Sequence, residues 1–147
     1  MKSICEENII NIDENKRADI ILEQWKVYVQ MADNISNRRE KSNKFFTTIN
    51  TTIIGLCTTK IIDIDKKIII ITGILIGIVW ILSIRSYKML NKAKFQVINE
   101  IENKLPVQGF KYEWDKLKVV QHINLTSSEK YVPIAFIIIY IIFLCTI

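Results

Sequence analysis

Three stretches of the chain are almost wholly apolar: residues 45–62, 68–84 and 131–147. At 1.5 Å per helical residue each reaches about 25 Å, close to the ~30 Å hydrocarbon layer of a bilayer. The first two are separated only by residues 63–67, which makes them a helical hairpin. The third follows Thr126, Ser127, Ser128 and Glu129, a Thr-x-x-Glu capping box that satisfies unpaired amides at a helix start. Pro133, about two turns into that helix, is expected to bend it. The pattern predicts an all-α membrane protein with three transmembrane helices.

Helical periodicity continues outside the spans. Ile21, Trp25, Tyr28, Ala32 and Ile35 recur at spacings of four, three, four and three, a single helical seam. Asn11 with Glu14 offers a capping pair at its start. No Pro or Gly separates this helix from residue 45, so it is expected to run straight into the first span. Beyond the second span Leu90, Ala93, Val97, Ile101 and Leu105 again follow spacings of three and four until Pro106 ends the run. Two long helical extensions would then pair antiparallel, with Gly109 and the aromatic residues Phe110, Tyr112 and Trp114 forming a short helix or turn beside them. The alternative use of such a seam is as an amphipathic anchor lying on the membrane. In either case residues 1–147 read as one integrated membrane domain.

Charge sets the orientation. Of the basic residues, eight lie in 1–44, nine in 85–130 and three in 60–67. They are densest against the spans, with Arg38, Arg39, Lys41 and Lys44 before the first, and Arg85 and Lys88 after the second. The positive-inside rule puts the N-terminus and residues 85–130 in the cytoplasm, and the hairpin turn and C-terminus outside. A net charge of +5 admits nucleic acid in principle. Its placement beside apolar spans fits an anionic leaflet better, at about 1 kcal/mol per basic residue. The expected partners are membrane lipid and further copies of the chain, not nucleic acid. The first 14 residues carry four carboxylates and no apolar core, unlike a secretory signal.

Candidate chemistry is sparse. On a helical wheel Thr47, Thr48, Thr51, Thr52, Gly55, Thr58 and Thr59 fall within an arc of about 140°. One face of the first span is therefore polar along its length, and Asn50 is placed towards its edge. Such a face serves either close packing between helices or the lining of a hydrated pore built from several copies. Gly73 and Gly77 form a Gly-x-x-x-Gly packing motif whose face continues to Trp80. No charged residue lies in the interior of a span, so an ion-coupled pump has no obvious carrier. Cys5, Cys57 and Cys145 have no metal or redox spacing. Asp63 and Asp65 beside Lys66 and Lys67 read as a solvated turn. An enzyme would have to use Glu113, Asp115 or His122, which form no hydrolytic or phosphate-binding constellation. No catalytic residue, cofactor or metal site is expected.

Several strings occur together in order: WKVYVQMADNISNRREKSNK at 25–44, WILSIRSYKMLNKAKFQVINEIENKLP at 80–106, FKYEWDKL at 110–117, and Val132-Pro133. Their combination resembles the RipA-like family of small bacterial octameric membrane proteins. The resemblance implies a multi-pass protein of the bacterial cytoplasmic membrane forming a homo-oligomeric ring, and supplies no catalytic residues; with the threonine face and the helical seams, the expected role is a scaffold or channel-like assembly. In outline, the N-terminal helix, Arg38-Arg39 and short hairpin also resemble the SLATT membrane effectors, which implies a pore-forming role in antiviral defence. The span at 131–147 departs from their simplest two-span form.

Overall fold

A computed structural model describes residues 14–58, 65–119 and 129–146, and its elements there are four helices: α1 (Glu14–Thr58), α2 (Lys66–Glu102), α3 (Gly109–Val119) and α4 (Tyr131–Thr146). Asn11, Thr59, Asp63, His122 and the Thr126, Ser127 and Ser128 part of the capping box lie outside the described residues. α1 continues unbroken for 45 residues and α2 for 37. Neither contains proline, and the seam residues merge into the apolar runs without a helix-stopping signal.

The ends have local causes. Asp65 caps α2, its carboxylate accepting from Lys67 N at 2.9 Å and its carbonyl from Ile68 N at 3.0 Å. α2 ends ahead of Pro106 in a tightened turn, with Lys104 N bonded to the carbonyl of Ile101 at 2.9 Å and Leu105 N to that of Glu102 at 3.0 Å. Pro133 sits in the first turn of α4, where its missing N–H removes no helical bond. The bend expected two turns into a longer helix is replaced by a favourable start.

The helices divide into two compact units. One takes residues 1–33 and 92–121, the other 34–91 and 122–147, so α1 and α2 contribute to both.

In the first unit Ala32, Ile98 and Ile101 are buried. Phe110 of α3 packs between Trp25 and Phe95, with ring centroids 5.9 and 5.7 Å away. Lys94 Nζ lies 4.8 Å from the Tyr28 ring centre and 3.6 Å from Met31 Sδ. On α1 the expected seam faces inward: Ala32 is buried and Ile21, Trp25 and Tyr28 are partly buried. Of the seam expected on α2 in this unit, Ile101 is buried, Val97 and Leu105 are partly buried and Ala93 is exposed. Phe95, partly buried, and Ile98 and Glu102, both buried, add to the packed face, Phe95 by ring area and Glu102 by backbone hydrogen bonds.

In the second unit Cys57, Ile70 and Tyr140 form a core flanked by Ile53, Ile54, Ile69, Ile74, Phe136 and Phe143. Ile35 is partly buried, whereas Leu90, expected in the seam, is 50% exposed. The outer face of α2 shows Ile68, Ile71, Leu75, Ile78, Val79 and Leu82, all exposed. A continuous aliphatic surface of this kind is what hydrocarbon accepts and water does not. Among the described residues α2 is the one helix long and apolar enough to cross a membrane, and α4 is a shorter apolar helix.

Candidate functional site

α1, α2 and α4 are joined by a polar contact set in an apolar core. Tyr140, fully buried on α4, donates from its hydroxyl to the Asn50 carbonyl at 3.0 Å and to Asn50 Oδ1 at 3.1 Å. Asn50, also fully buried, donates from Nδ2 to the Phe46 carbonyl at 2.8 Å. The amide thus has both its groups paired, as burial in an apolar core requires. The Tyr140 ring lies against Gly73, where an added Cβ would come within 2.5 Å of Cζ. A Cβ at Gly77 would come within 2.8 Å of Ile137 Cγ1. Both glycines therefore serve close packing of α2 on α4.

One turn beyond, Trp80 is 2% exposed and stacks on Phe46 at 5.7 Å with the planes 12° apart. Its Nε1 donates to Asn43 Oδ1 at 2.9 Å, and the Ser42 and Ser83 hydroxyls meet at 3.3 Å. Asn43 and Ser42 stand where the charged part of α1 gives way to the apolar part, so the indole spans an apolar and a polar layer.

The threonine face behaves oppositely. Thr47, Thr48, Thr51, Thr52, Gly55 and Thr58 are all exposed, and a Cβ added at Gly55 would meet nothing within 4 Å. Hydroxyls of Thr47, Thr48, Thr52 and Thr58 donate to α1's own carbonyls at 2.7–2.9 Å. The chain's own core lies on the other side of the helix. Grouping Asn50 with the threonines is therefore corrected. At ~100° per residue it falls about 130° from the middle of their arc, among Phe46, Ile53 and Cys57.

Arg38, Lys41, Lys44, Arg85 and Lys88 are exposed. Arg39 is partly buried, with Nε 3.6 Å from Glu129 Oε2. Lys44 Nζ pairs with Glu40 Oε1 at 2.6 Å and holds that carboxyl below its ordinary pKa. Arg39, Glu40, Lys44 and Glu129 line an open cleft of about 550 Å³ reaching down to Thr47 and Thr48, whereas Arg38, Lys41, Arg85 and Lys88 do not border it.

The sequence model of the Octameric membrane protein family (8xMP) matches residues 22–147. The chain belongs to this family. No curated protein and no solved structure matches it at a significant level. Membership in 8xMP makes the chain a membrane protein of an octameric family, in agreement with the resemblance read from residues 25–133.

The 8xMP match covers all four helices except the first turns of α1. Among the described residues no group of three or more His, Cys, Asp and Glu gathers to hold a metal ion, and Cys57 and Cys145 are free thiols. Asp115 is exposed; Glu113, also exposed, borders a mainly apolar cleft of about 560 Å³ with Trp25 and Phe110. Sequence reasoning missed Tyr140, Asn43 and Glu102. Glu102, 2% exposed, accepts from Phe110 N at 3.0 Å and Lys111 N at 3.3 Å, capping α3 from the end of α2. A signal existed for Tyr140: it is the one residue between 134 and 144 able to donate from its side chain.

Proposed function

We propose that this 8xMP chain is a noncatalytic, multi-pass subunit of the bacterial cytoplasmic membrane. In this reading α2, α4 and the apolar part of α1 cross the bilayer, and α1's threonine face builds a homo-octameric scaffold ring. The supporting observation is that this face is polar and small yet exposed among the described residues, while α1's opposite side is filled by α2 and α4. Since most of the hydroxyls already bond to α1's own backbone, each threonine offers a neighbour mainly its methyl group. Threonine methyls around Gly55 suit close approach of a second helix better than a water column. A repeated heterologous contact must close into a ring to avoid filaments.

The experiment combines native mass spectrometry of the gently extracted protein with disulfide trapping of Gly55→Cys in a background lacking the other cysteines. An octamer mass and inter-subunit cross-links at position 55, absent for Leu75→Cys on the aliphatic face of α2, support the ring. A monomer, or equal trapping at both positions, overturns it. Leakage of small ions from proteoliposomes, abolished by Thr51→Leu with Thr52→Leu, moves the face from packing to a lumen, the arrangement a channel or SLATT-like effector requires.

A further inference from the structure

The first unit carries a cleft of about 560 Å³ between α1, the end of α2 and α3, lined by Leu22, Trp25, Leu105, Val107 and Phe110. Its exposed charge is Glu113, and among the described residues no basic side chain borders it. The same unit shows an apolar stripe on α1, with Ile20, Val27 and Met31 all exposed. Spacings of seven and four keep these three on one line of the helix. Lys16 and Arg17, both exposed, stand one turn before Ile20.

Both features lie outside the apolar runs 45–62, 68–84 and 131–147, so in the reading above they face water and acyl chains do not cover them. Contiguous exposed apolar surface in water marks a protein contact. Membership in an octameric family makes a second copy the occupant. A ring contact is heterologous, each copy giving one surface to one neighbour and a different surface to the other. Copies arranged about an axis normal to the membrane also share their heights, so the two surfaces must lie at one level. The cleft and the stripe meet both conditions. Leu22 and Trp25 fall between Ile20 and Val27 along α1, and at ~100° per residue they stand about 170° from the stripe. The charges are opposite as well, Glu113 on the cleft against Lys16 and Arg17 at the start of the stripe.

We propose that the Ile20 and Val27 stripe of one copy seats in the cleft of its neighbour, against Leu22, Val107 and Phe110, with Lys16 and Arg17 turned towards Glu113 at the rim. The contact is a second interface of the ring, made by apolar side chains in water, whereas the threonine face of α1 works inside the membrane. It rests on the homo-octameric part of the reading above and not on the threonine face.

The test co-expresses two full-length chains with different tags, both lacking Cys5, Cys57 and Cys145, one carrying Val27→Cys and the other Val107→Cys, and oxidises them in isolated membranes. The two positions are 52% and 74% exposed, so the substitutions leave the packing of the unit intact. A disulfide needs Cα atoms within about 7 Å, so a mixed dimer reports the contact directly. Mixed dimers are expected, with none from either chain alone. Lys26→Cys, exposed and about 120° from the stripe, traps nothing in place of Val27→Cys. Glu113→Lys lowers the yield about threefold, the worth of one exposed ion pair, and Lys16→Glu with Arg17→Glu in the other chain restores it. Mixed dimers no more abundant than with Lys26→Cys, equal dimers from either chain alone, or a yield indifferent to Glu113→Lys overturn the contact. Native mass of the same extract separates the causes: an octamer without the cross-link sinks this contact alone, whereas a monomer sinks the ring on which it rests.

Discussion

Replacing Gly73 by Ala tests how α2 and α4 hold together. The added Cβ falls 2.5 Å from Tyr140 Cζ and 2.8 Å from Cε1 and Cε2. Ordinary carbon contacts are about 3.5–4.0 Å, so the ring must retreat by roughly 1 Å. It has little freedom to do so, being fully buried with its hydroxyl on two Asn50 oxygens at 3.0 and 3.1 Å. Overpacking costs about 1–3 kcal/mol and the strained Tyr140–Asn50 hydrogen bonds about 0.6–1.7 kcal/mol. Alanine's better helix propensity returns about 1 kcal/mol. The net expectation is a loss of about 1–3 kcal/mol.

The assay is reversible unfolding in mixed micelles at increasing SDS fraction, read by tryptophan fluorescence and helicity. A Tyr140→Leu background removes the ring, so there Gly73→Ala becomes neutral or mildly stabilising, leaving only the propensity gain. The resulting coupling of about 2–4 kcal/mol is large for a single pair. Gly73→Ala that is harmless in the wild-type chain, or equally costly in both backgrounds, refutes the argument.

Tyr140→Phe keeps the ring and loses the hydroxyl, so the same titration should show a loss of about 0.6–1.7 kcal/mol. In Asn50→Ala that loss is reduced but not abolished, because the backbone carbonyl at position 50 remains as acceptor; an unchanged loss contradicts the geometry. Glu102→Ala leaves the Phe110 and Lys111 amides without their acceptor at about 1–3 kcal/mol. Hydrogen exchange at those two amides should accelerate at least about tenfold with α1 protection unchanged, and equal protection would remove Glu102 as the cap. Trp80→Phe keeps stacking on Phe46 but forfeits the bond to Asn43, for a loss of about 1 kcal/mol; Asn43→Ala should absorb that loss when the two are combined. Thr51→Leu with Thr52→Leu should leave the SDS midpoint of the subunit nearly unchanged, since both residues are exposed, while shifting the native mass from octamer to smaller species. A fall in the subunit's own stability would place that face inside the chain's core.

The amino-acid pattern alone carried the helical class, the continuity of α1 and α2, the apolar runs and the family. These depend on local quantities: side-chain period, run length, and the absence or presence of proline. The α1 seam through Trp25 and Ala32 was readable for the same reason. The α2 seam was readable in part: Val97, Ile101 and Leu105 lie inward, but Phe95 and Glu102 owe their places to α3, which periodicity along α2 cannot see. Asn50 likewise had a readable need for a partner, but only the packing of α4 supplied Tyr140, ninety residues later in the chain. Gly73 and Gly77 announced close approach in sequence; which helix approaches was decided by the shapes of Tyr140 and Ile137. The small polar face of α1 was visible from its residues, and the tertiary structure decided that no segment among the described residues covers it. Composition and period state what a helix face requires, whereas the identity of the surface that meets it is a non-local property, set when distant segments compete to bury the same area.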